Sequence, residues 1–409
     1  MMTIRAASVV VTLVLLTSAC GGSKPTVSTS ASTLSPSRSG SPSPVPPASP
    51  TPSPRTATSN SFDLLPSPGP APGTGPQIAC SGSIGPTDPV AIVQLHGAAP
   101  TSVLRDYADP AASSTVCQFG PAYVDVQQLI DSRHVVVRYS GNGTTFYALV
   151  DLPGVHFTWF QLPEQYATFL SISPALDEVV WLGSDVSNAD RVHVTTRAGD
   201  SIVAALAGGS GRCGSPEDAK QAAFSPSGQH MFVLDQHGGP RMTSLLLLSG
   251  TKQELLLTPP TGGWAAGDEP NMALWSPTGD TLYYRQRGDV WRWQPGGDPQ
   301  RYLSGVKWYY PTISGDSGAL AYSVSHTSGL HDVYLVDLAH PGDPRHIGQG
   351  ARNLPVFLTS TLLWYKSEGE AQCGPSGSQP LIYDLSDGSE SPTIVDYILA
   401  VWPATSSNF

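Results

Sequence analysis

Short apolar runs alternate with turn residues over most of the chain, and one arrangement of the two recurs. In its clearest copy, Ala223-Phe224-Ser225-Pro226-Ser227-Gly228 precedes the apolar run from Met231 to Leu234. Proline removes a ladder donor and glycine tolerates a positive φ, so the pattern predicts a strand, a tight turn and a returning strand. Altered copies are Leu274-Trp275-Ser276-Pro277-Thr278-Gly279, Thr312-Ile313-Ser314-Gly315-Asp316-Ser317-Gly318 and Ser171-Ile172-Ser173-Pro174-Ala175.

The serines of these copies recur at intervals of roughly 40 to 50 residues, a period typical of propeller blades. Segments rich in short strands recur with them, and we interpret each as one blade. The six segments are 123–152, 169–197, 223–248, 273–293, 312–338 and 356–385.

The two ends of the β-rich region predict a seventh blade. We expect Val90 to Leu95 to be a third strand and Val103 to Arg105 an outer strand, with no first strand before them. The run from Tyr397 to Pro403 resembles a first strand that ends at proline. Pairing the two ends would close a ring and remove the open sheet edge.

Composition supports an all-β chain. Its 409 residues include 41 Gly and 39 Pro, and only 13% are charged, which suits short strands joined by turns. The net charge of −11 disfavours a nucleic-acid partner.

The first twenty residues predict export. Arg5 precedes an apolar core from Ala6 to Leu16 that is too short to span a bilayer. Thr17-Ser18-Ala19-Cys20 then resembles the lipobox of bacterial lipoproteins, with Cys20 as the lipidated residue. Thr17 stands where that family usually has leucine, so cleavage by an ordinary signal peptidase after Ala19 is the competing interpretation.

The predicted organisation is a signal peptide (1–20), a Ser/Thr/Pro/Gly-rich tether (21–76) and one β domain (77–409). The tether cannot bury enough apolar surface to offset its ordering entropy, so we expect disorder there. Lipidation at Cys20 would hold the protein on the outer face of the cytoplasmic membrane; otherwise it would be secreted.

The Phe-Ser-Pro-x-Gly and Trp-Ser-Pro-x-Gly hairpins at 224–228 and 275–279 are similar to the repeats of TolB-like, WD40-like β-propellers. The N-terminal segment resembles that of exported actinobacterial propeller lipoproteins of the LpqB type. The resemblance covers 88–403 and implies an all-β propeller. We predict seven blades, with six or eight as alternatives.

Four cysteines besides Cys20 predict disulfides in an exported chain, with three possible pairings. On a propeller, Cys80 and Cys117 would join the seam, and Cys213 and Cys373 would join two long loops at one face. This interpretation places Cys117 in a loop between blades. Independent free thiols are the alternative.

Motifs for catalysis are absent from the sequence. Gly315-Asp316-Ser317-Gly318 is like a serine-protease tetrapeptide, but it occupies a repeated turn, so we interpret it as structural. No histidine or cysteine spacing predicts a metal site, and nothing predicts a cofactor. Two acidic pairs, Glu217-Asp218 and Asp268-Glu269, fall in loops of one face. Adjacent acids in a loop are usually solubilising, and glycoside hydrolysis is the alternative role.

Aromatic residues give the best candidate site. Trp159, Trp264 and Trp308-Tyr309-Tyr310 fall in loops before blades two, four and five, and with Asp268 and Glu269 they could line the channel mouth. Such a surface suits a glycan or a peptide. Packing between blades is the alternative role for these rings.

We therefore expect a monomeric lipoprotein whose propeller is a non-catalytic binding or scaffolding module. Its partner would be an envelope protein or a cell-wall glycan or peptide. The alternatives are an envelope glycoside hydrolase or lyase with channel-face carboxylates, and an accessory subunit of a membrane sensor or transporter.

Overall fold

The structure is a computed structural model. It describes residues 77–97, 101–109, 114–120, 125–141, 144–152, 154–164, 167–184, 190–205, 221–235, 240–326, 329–368 and 378–406. Cys20, Cys213, Cys373, Glu217 and Asp218 lie outside the described residues. No helix within the described ranges is long and apolar enough to cross a membrane.

The described residues form seven antiparallel sheets, each a blade. Blade 1 is β5 (Asp125–Leu129), β6 (His134–Gly141), β7 (Thr144–Asp151) and β8 (His156–Phe160). Blade 2 is β9 (Thr168–Ile172), β10 (Glu178–Ser184), β11 (Asp190–Thr196) and β12 (Gly199–Ala205). Blade 3 is β13 (Gln221–Phe224), β14 (His230–Asp235), β15 (Ser244–Ser249) and β16 (Lys252–Leu257), with a 3₁₀ turn at Pro240–Met242.

Blades 4 to 7 complete the ring. Blade 4 is β17 (Asn271–Trp275), β18 (Leu282–Gln286), β19 (Asp289–Trp293) and β20 (Gln300–Leu303). Blade 5 is β21 (Trp308–Ile313), β22 (Ala319–Ser325), β23 (His331–Asp337) and β24 (Arg345–Ile347), joined by β30 (Thr405–Ser406). Blade 6 is β25 (Arg352–Phe357), β26 (Leu362–Ser367), β27 (Pro380–Asp384) and β28 (Glu390–Pro392). Blade 7 is β1 (Ile78–Cys80), β2 (Val90–Leu95), β3 (Thr101–Asp106), β4 (Ser114–Phe119) and β29 (Val395–Trp402).

The first strands of successive blades contact one another around a ring. Contacts run from β29 to β5 and onward through β9, β13, β17, β21 and β25. The Trp364 indole N–H of blade 6 donates to the Val395 carbonyl of blade 7 at 2.9 Å, which closes the ring. The predicted seven-bladed β-propeller is therefore confirmed.

Blade 7 joins the two ends of the β-rich region as predicted, but the order of its strands differs from the prediction. The strand Val90–Leu95 pairs directly with Val395–Trp402, so it is the second strand and the prediction of a third strand was wrong. The third and fourth strands are β3 and β4, and β1 pairs outside β4. Cys117 consequently lies on β4 and not in a loop. It forms a disulfide with Cys80, its partner across the two strands, as predicted for this pair.

The repeated turns link neighbouring blades as well as neighbouring strands. The Ser227 hydroxyl of blade 3 donates to Asp280 of blade 4 at 2.5 Å. In the next pair, Ser276 and Thr278 of blade 4 lie 2.7 and 2.8 Å from the Ser317 hydroxyl of blade 5. Ser317 belongs to the protease-like tetrapeptide, so its hydrogen bonds there support the structural interpretation of that motif.

These turns define two ends of the ring. At the turn end, each first strand passes into the second through a turn such as Ser225–Gly228. At the opposite end, which we call the loop end, first strands begin and second strands finish. Apolar side chains fill the interfaces between blades; Trp308 and Tyr322, for example, pack with Leu274 and Tyr283 between blades 4 and 5.

Candidate functional site

At the loop end, the first strands of blades 4, 5 and 6 share a bulge. Their pairing with the second strand shifts register after Asn271, Tyr309 and Asn353. The residue that follows each has a positive φ: 49° at Met272, 50° at Tyr310 and 59° at Leu354. Such a φ is strained for a residue with a side chain, and bulges often re-aim side chains beside functional sites. Three consecutive blades thus have the same strained backbone at one end.

Arg285 is the penultimate residue of the second strand of blade 4, next to these bulges. Its side chain is buried, and its guanidinium lies 5.7 Å from the centre of the Tyr309 ring of blade 5. Nη1 donates to the Trp308 carbonyl at 3.4 Å, a long hydrogen bond. Gly267 (φ 85°) lies against this group, since a Cβ there would be 3.6 Å from Nη2. The loop before blade 4 therefore covers Arg285.

Tyr309 also contacts a second group of polar side chains, which lies on blades 5 and 6. Its ring meets that of His331 edge to face at 6.0 Å. His331 places Nδ1 2.9 Å from Glu368 Oε1 and donates its backbone N–H to Oε2 at 2.7 Å. The Asn353 amide also donates to Glu368, at 2.8 Å. The Glu368 carboxylate is thus held by groups from both blades.

Lys366 extends the cluster from blade 6 to blade 7. It occupies the position of blade 6 that Arg285 has in blade 4, since each faces an asparagine of the bulge, Asn353 and Asn271 respectively. Its ammonium lies 3.1 Å from Asp396 and 3.5 Å from the centre of the exposed Tyr397 ring. This buried cation therefore has both a counter-charge and an aromatic neighbour.

A further ion pair, between the buried Arg352 and the half-buried Glu390, stabilises blade 6 beside the site. Arg352 donates Nε and Nη2 to the two oxygens of Glu390 at 2.8 and 3.1 Å, and the Tyr365 hydroxyl donates to Oε1 at 2.8 Å. Burial by itself would raise the pKa of Glu390, but the hydrogen bonds from Arg352 and Tyr365 outweigh it and lower that pKa. Burial, with the bond to Glu390, raises the pKa of Tyr365 far above its ordinary value. Its hydroxyl therefore stays a donor.

Glu390→Gln is expected to lower the free energy of unfolding by about 2 kcal/mol at pH 7, because it leaves the buried Arg352 without a counter-charge. The folded pKa lies below the ordinary 4.5. The contribution of the carboxylate is therefore complete above that value and is lost as the pH falls through the folded pKa. Urea unfolding from pH 7 to pH 3 would show the two proteins converging at acid pH.

Glu254→Gln is the matched control, because its partner is the exposed Lys252 at 4.0 Å. A change below about 0.5 kcal/mol is expected there. A Glu390→Gln chain as stable as the wild type at pH 7 would contradict the assigned role of the pair.

The loop end collects most of the residues predicted as a ligand site. Trp308, Tyr309 and Tyr310 begin β21, and Trp264, Asp268 and Glu269 lie in the loop over Arg285. Two of the rings are not presented to solvent, since Trp308 is fully buried and Trp264 is 8% exposed. The Trp264 indole donates to the Thr243 carbonyl at 2.8 Å, and Glu269 is buried, accepting from the Gly267 N–H at 2.7 Å. Of the predicted residues here, Tyr309, Tyr310 and Asp268 are half-buried.

Trp159 lies elsewhere. It was predicted in the loop before blade two, but it belongs to the outer strand β8 of blade 1, where it stacks on Phe157 at 5.7 Å. The prediction of its place was wrong, because its run His156–Phe160 is a fourth strand and not a connection. A ligand-binding role for these predicted residues remains a prediction.

Sequence reasoning missed the polar residues that join the cluster: Arg285, His331, Asn353, Glu368, Lys366 and Asp396. One signal could have shown two of them. Arg285 and Lys366 each lie three residues after the second-strand residue that pairs with the end of the first strand. Blades 2 and 3 have leucine at this position (Leu182 and Leu234). A cation at a position that other repeats make apolar indicates a buried charge.

Two further observations limit the choice of site. Within the described ranges, no group of three or more His, Cys, Asp or Glu residues could hold a metal ion. A groove of about 380 Å³ lies at the turn end between blades 2 and 3, and its lining includes Val194, Phe224, Met231, Leu248, Glu178 and His230. We favour the loop end, since the buried Arg285 and Lys366 and the repeated bulges lie there.

Comparison with known proteins shows likeness to solved structures. The β-propeller domain of the trilobed protease from Pyrococcus furiosus is 9% identical, with 66% of this chain and 83% of that one covered at a TM-score of 0.43. TolB from Acinetobacter baumannii is 11% identical, with coverage of 77% and 81% and a TM-score of 0.38. A prolyl endopeptidase is 12% identical at a TM-score of 0.48, and 75% of this chain matches 48% of that one. No protein-family model and no curated protein matches the chain. The likeness is one of fold, and a propeller fold hosts unrelated functions.

Proposed function

We propose that this propeller is a non-catalytic binding module of the cell envelope, which takes its ligand at the loop end of blades 4 to 7. The observation that carries the proposal is a pair of buried cations at this end. Arg285 and Lys366 occupy corresponding positions in the second strands of blades 4 and 6, beside bulged first strands. Buried charges and strained backbone both oppose stability, and both are typical of functional sites.

The hydrogen bonding within the cluster favours binding over catalysis. Glu368 accepts from His331 and Asn353, and Asp396 accepts from Lys366. Carboxylates engaged in this way orient their neighbours, whereas a general acid or base needs a proton that it can exchange with a substrate. The half-buried Tyr309 and the exposed Tyr397 add aromatic surface suited to a peptide or a sugar ring.

The envelope location is supported by the N-terminal sequence, with its apolar core and Cys20. On this proposal the tether of 21–76 would hold the propeller away from the membrane and within reach of the cell wall. The ligand would then be a cell-wall peptide or glycan, or an exposed segment of an envelope protein.

The test is direct binding of the purified full chain to a panel of cell-wall peptides and glycan fragments, measured by calorimetry. Tyr309→Ala is expected to weaken binding of any ligand about ten-fold, because it removes the ring between Arg285 and His331. Tyr334→Ala is the matched control, since Tyr334 is a half-buried tyrosine on the third strand of the same blade. If no member of the panel binds to a folded chain, or if the two variants weaken binding equally, the proposal is wrong.

A further inference from the structure

Among the described residues, Arg285 is a buried cation without an ion-pair partner. It is 4% exposed, and none of the described carboxylates lies within 4.0 Å of its guanidinium. Its Nε–H is buried without a hydrogen-bond partner among the described residues. The contrast within the same ring is direct, because buried Arg352 has Glu390 and buried Lys366 has Asp396. An unpaired buried charge is costly and calls for an explanation.

Other unpartnered polar atoms belong to the same interface between blades 4 and 5. Among the described residues, the buried Trp308 Nε1 and Asn271 Oδ1 also have no hydrogen-bond partner. Asn271 faces Arg285 across β17 and β18. Trp308 precedes Tyr309 and receives the long hydrogen bond from Arg285 on its carbonyl. Three side chains at one interface thus have unused hydrogen-bonding capacity.

The chemistry of these groups selects an anion. The guanidinium and the indole only donate. The asparagine amide can rotate to present its NH₂ group in place of its oxygen. The set therefore offers donors and one positive charge to an acceptor-rich partner. A planar carboxylate matches the fork of a guanidinium and carries one negative charge. A phosphate dianion would need a second cation, and Lys366, the corresponding cation of blade 6, is engaged by Asp396.

We infer that Arg285, assisted by Trp308 Nε1, binds a carboxylate group of the ligand between blades 4 and 5. This inference rests on the proposed function and names the chemical group that the loop end recognises. Tyr309 lies beside the guanidinium and would contact the part of the ligand next to the carboxylate.

The experiment compares two probes on the full chain: N-acetyl-alanyl-alanine as the free acid and as its C-terminal amide. Calorimetry should detect the acid, with binding weakened about ten-fold or more for the amide and for the Arg285→Gln chain. Arg301→Gln removes the same charge from the outer strand of blade 4, where Arg301 is exposed, and should bind the acid like the wild type. Equal binding of acid and amide, or full binding by Arg285→Gln, would overturn the inference.

A second measurement tests the anion site in case the dipeptide is too short to bind. Sodium acetate should raise the melting temperature of the wild type and of Arg301→Gln above that in sodium chloride at equal ionic strength, but should leave Arg285→Gln unchanged. No acetate effect together with no acid binding would overturn the inference. If the cell-wall panel binds without regard to carboxylates, the inference fails and the proposed function stands. If acetate acts through Arg285 but nothing in the panel binds, the proposed function fails and the anion site stands.

Discussion

A chain that stops at Thr393 is expected to lose cooperative folding. This deletion removes β29, whose Val395 and Ile398 are buried against blades 6 and 7 and which pairs with β2 along its length. Burial of a Val or Ile side chain contributes roughly 1.5 to 3 kcal/mol, so loss of this strand removes a large part of a typical total of about 5 to 15 kcal/mol. Deletion of β30 adds to the effect, because Thr405 donates to the Trp275 carbonyl of blade 4 at 2.6 Å.

Thermal unfolding followed by circular dichroism would check this result. The control is a chain that ends at Ser406 and so keeps both strands; it should unfold like the full chain. A cooperative transition within a few degrees of wild type in the shorter chain would show that ring closure contributes little.

Replacing both Cys80 and Cys117 by serine is expected to cost about 4 kcal/mol. The cross-link spans a sequence separation of 37 residues, and in the chain-entropy model it stabilises by restricting the unfolded chain. It also fixes β1 to the outer edge of blade 7, where three residues alone would pair weakly. Urea unfolding of the oxidised wild type and the double variant would give the difference.

Reducing agent is the internal control for this experiment. If a second disulfide joins Cys213 and Cys373, as the sequence predicts, the double variant should still lose stability on reduction. Equal stability of the double variant and the oxidised wild type would contradict a structural role for the Cys80–Cys117 bond.

The sequence predicted the fold well because each blade repeats one local rule. Proline and glycine in Ser225-Pro226-Ser227-Gly228 specify the turn through backbone geometry alone, and the turn has the expected positive φ at Gly228. The hydrogen bonds from that turn to the next blade could not be predicted, because Asp280 lies more than fifty residues away and its approach depends on how blades pack. Local chemistry thus predicted the strands, and only packing revealed the links between them.

The errors at the seam and the site have physical causes. Second and third strands have the same apolar alternation, so the pattern of Val90–Leu95 fits either place, and only pairing with Val395–Trp402 decides. A charged residue in a strand ordinarily faces water. Arg285 is buried because the Trp308 segment of the next blade and the Gly267 loop cover it. The first contact depends on how the blades pack, and the second depends on the conformation of a loop, so neither could be predicted from the local sequence.

The pairing of β29 with β2 also determines when this domain can form during its synthesis. The first strand of blade 7, β29, follows blades 1 to 6 in sequence, so every one of those blades must be synthesised before the ring can be completed. Until then β2 has an unpaired edge and the neighbouring blades have apolar faces without cover. A nascent chain therefore remains incompletely folded until β29 has emerged, and a binding site shared by blades 4 to 7 is completed only then.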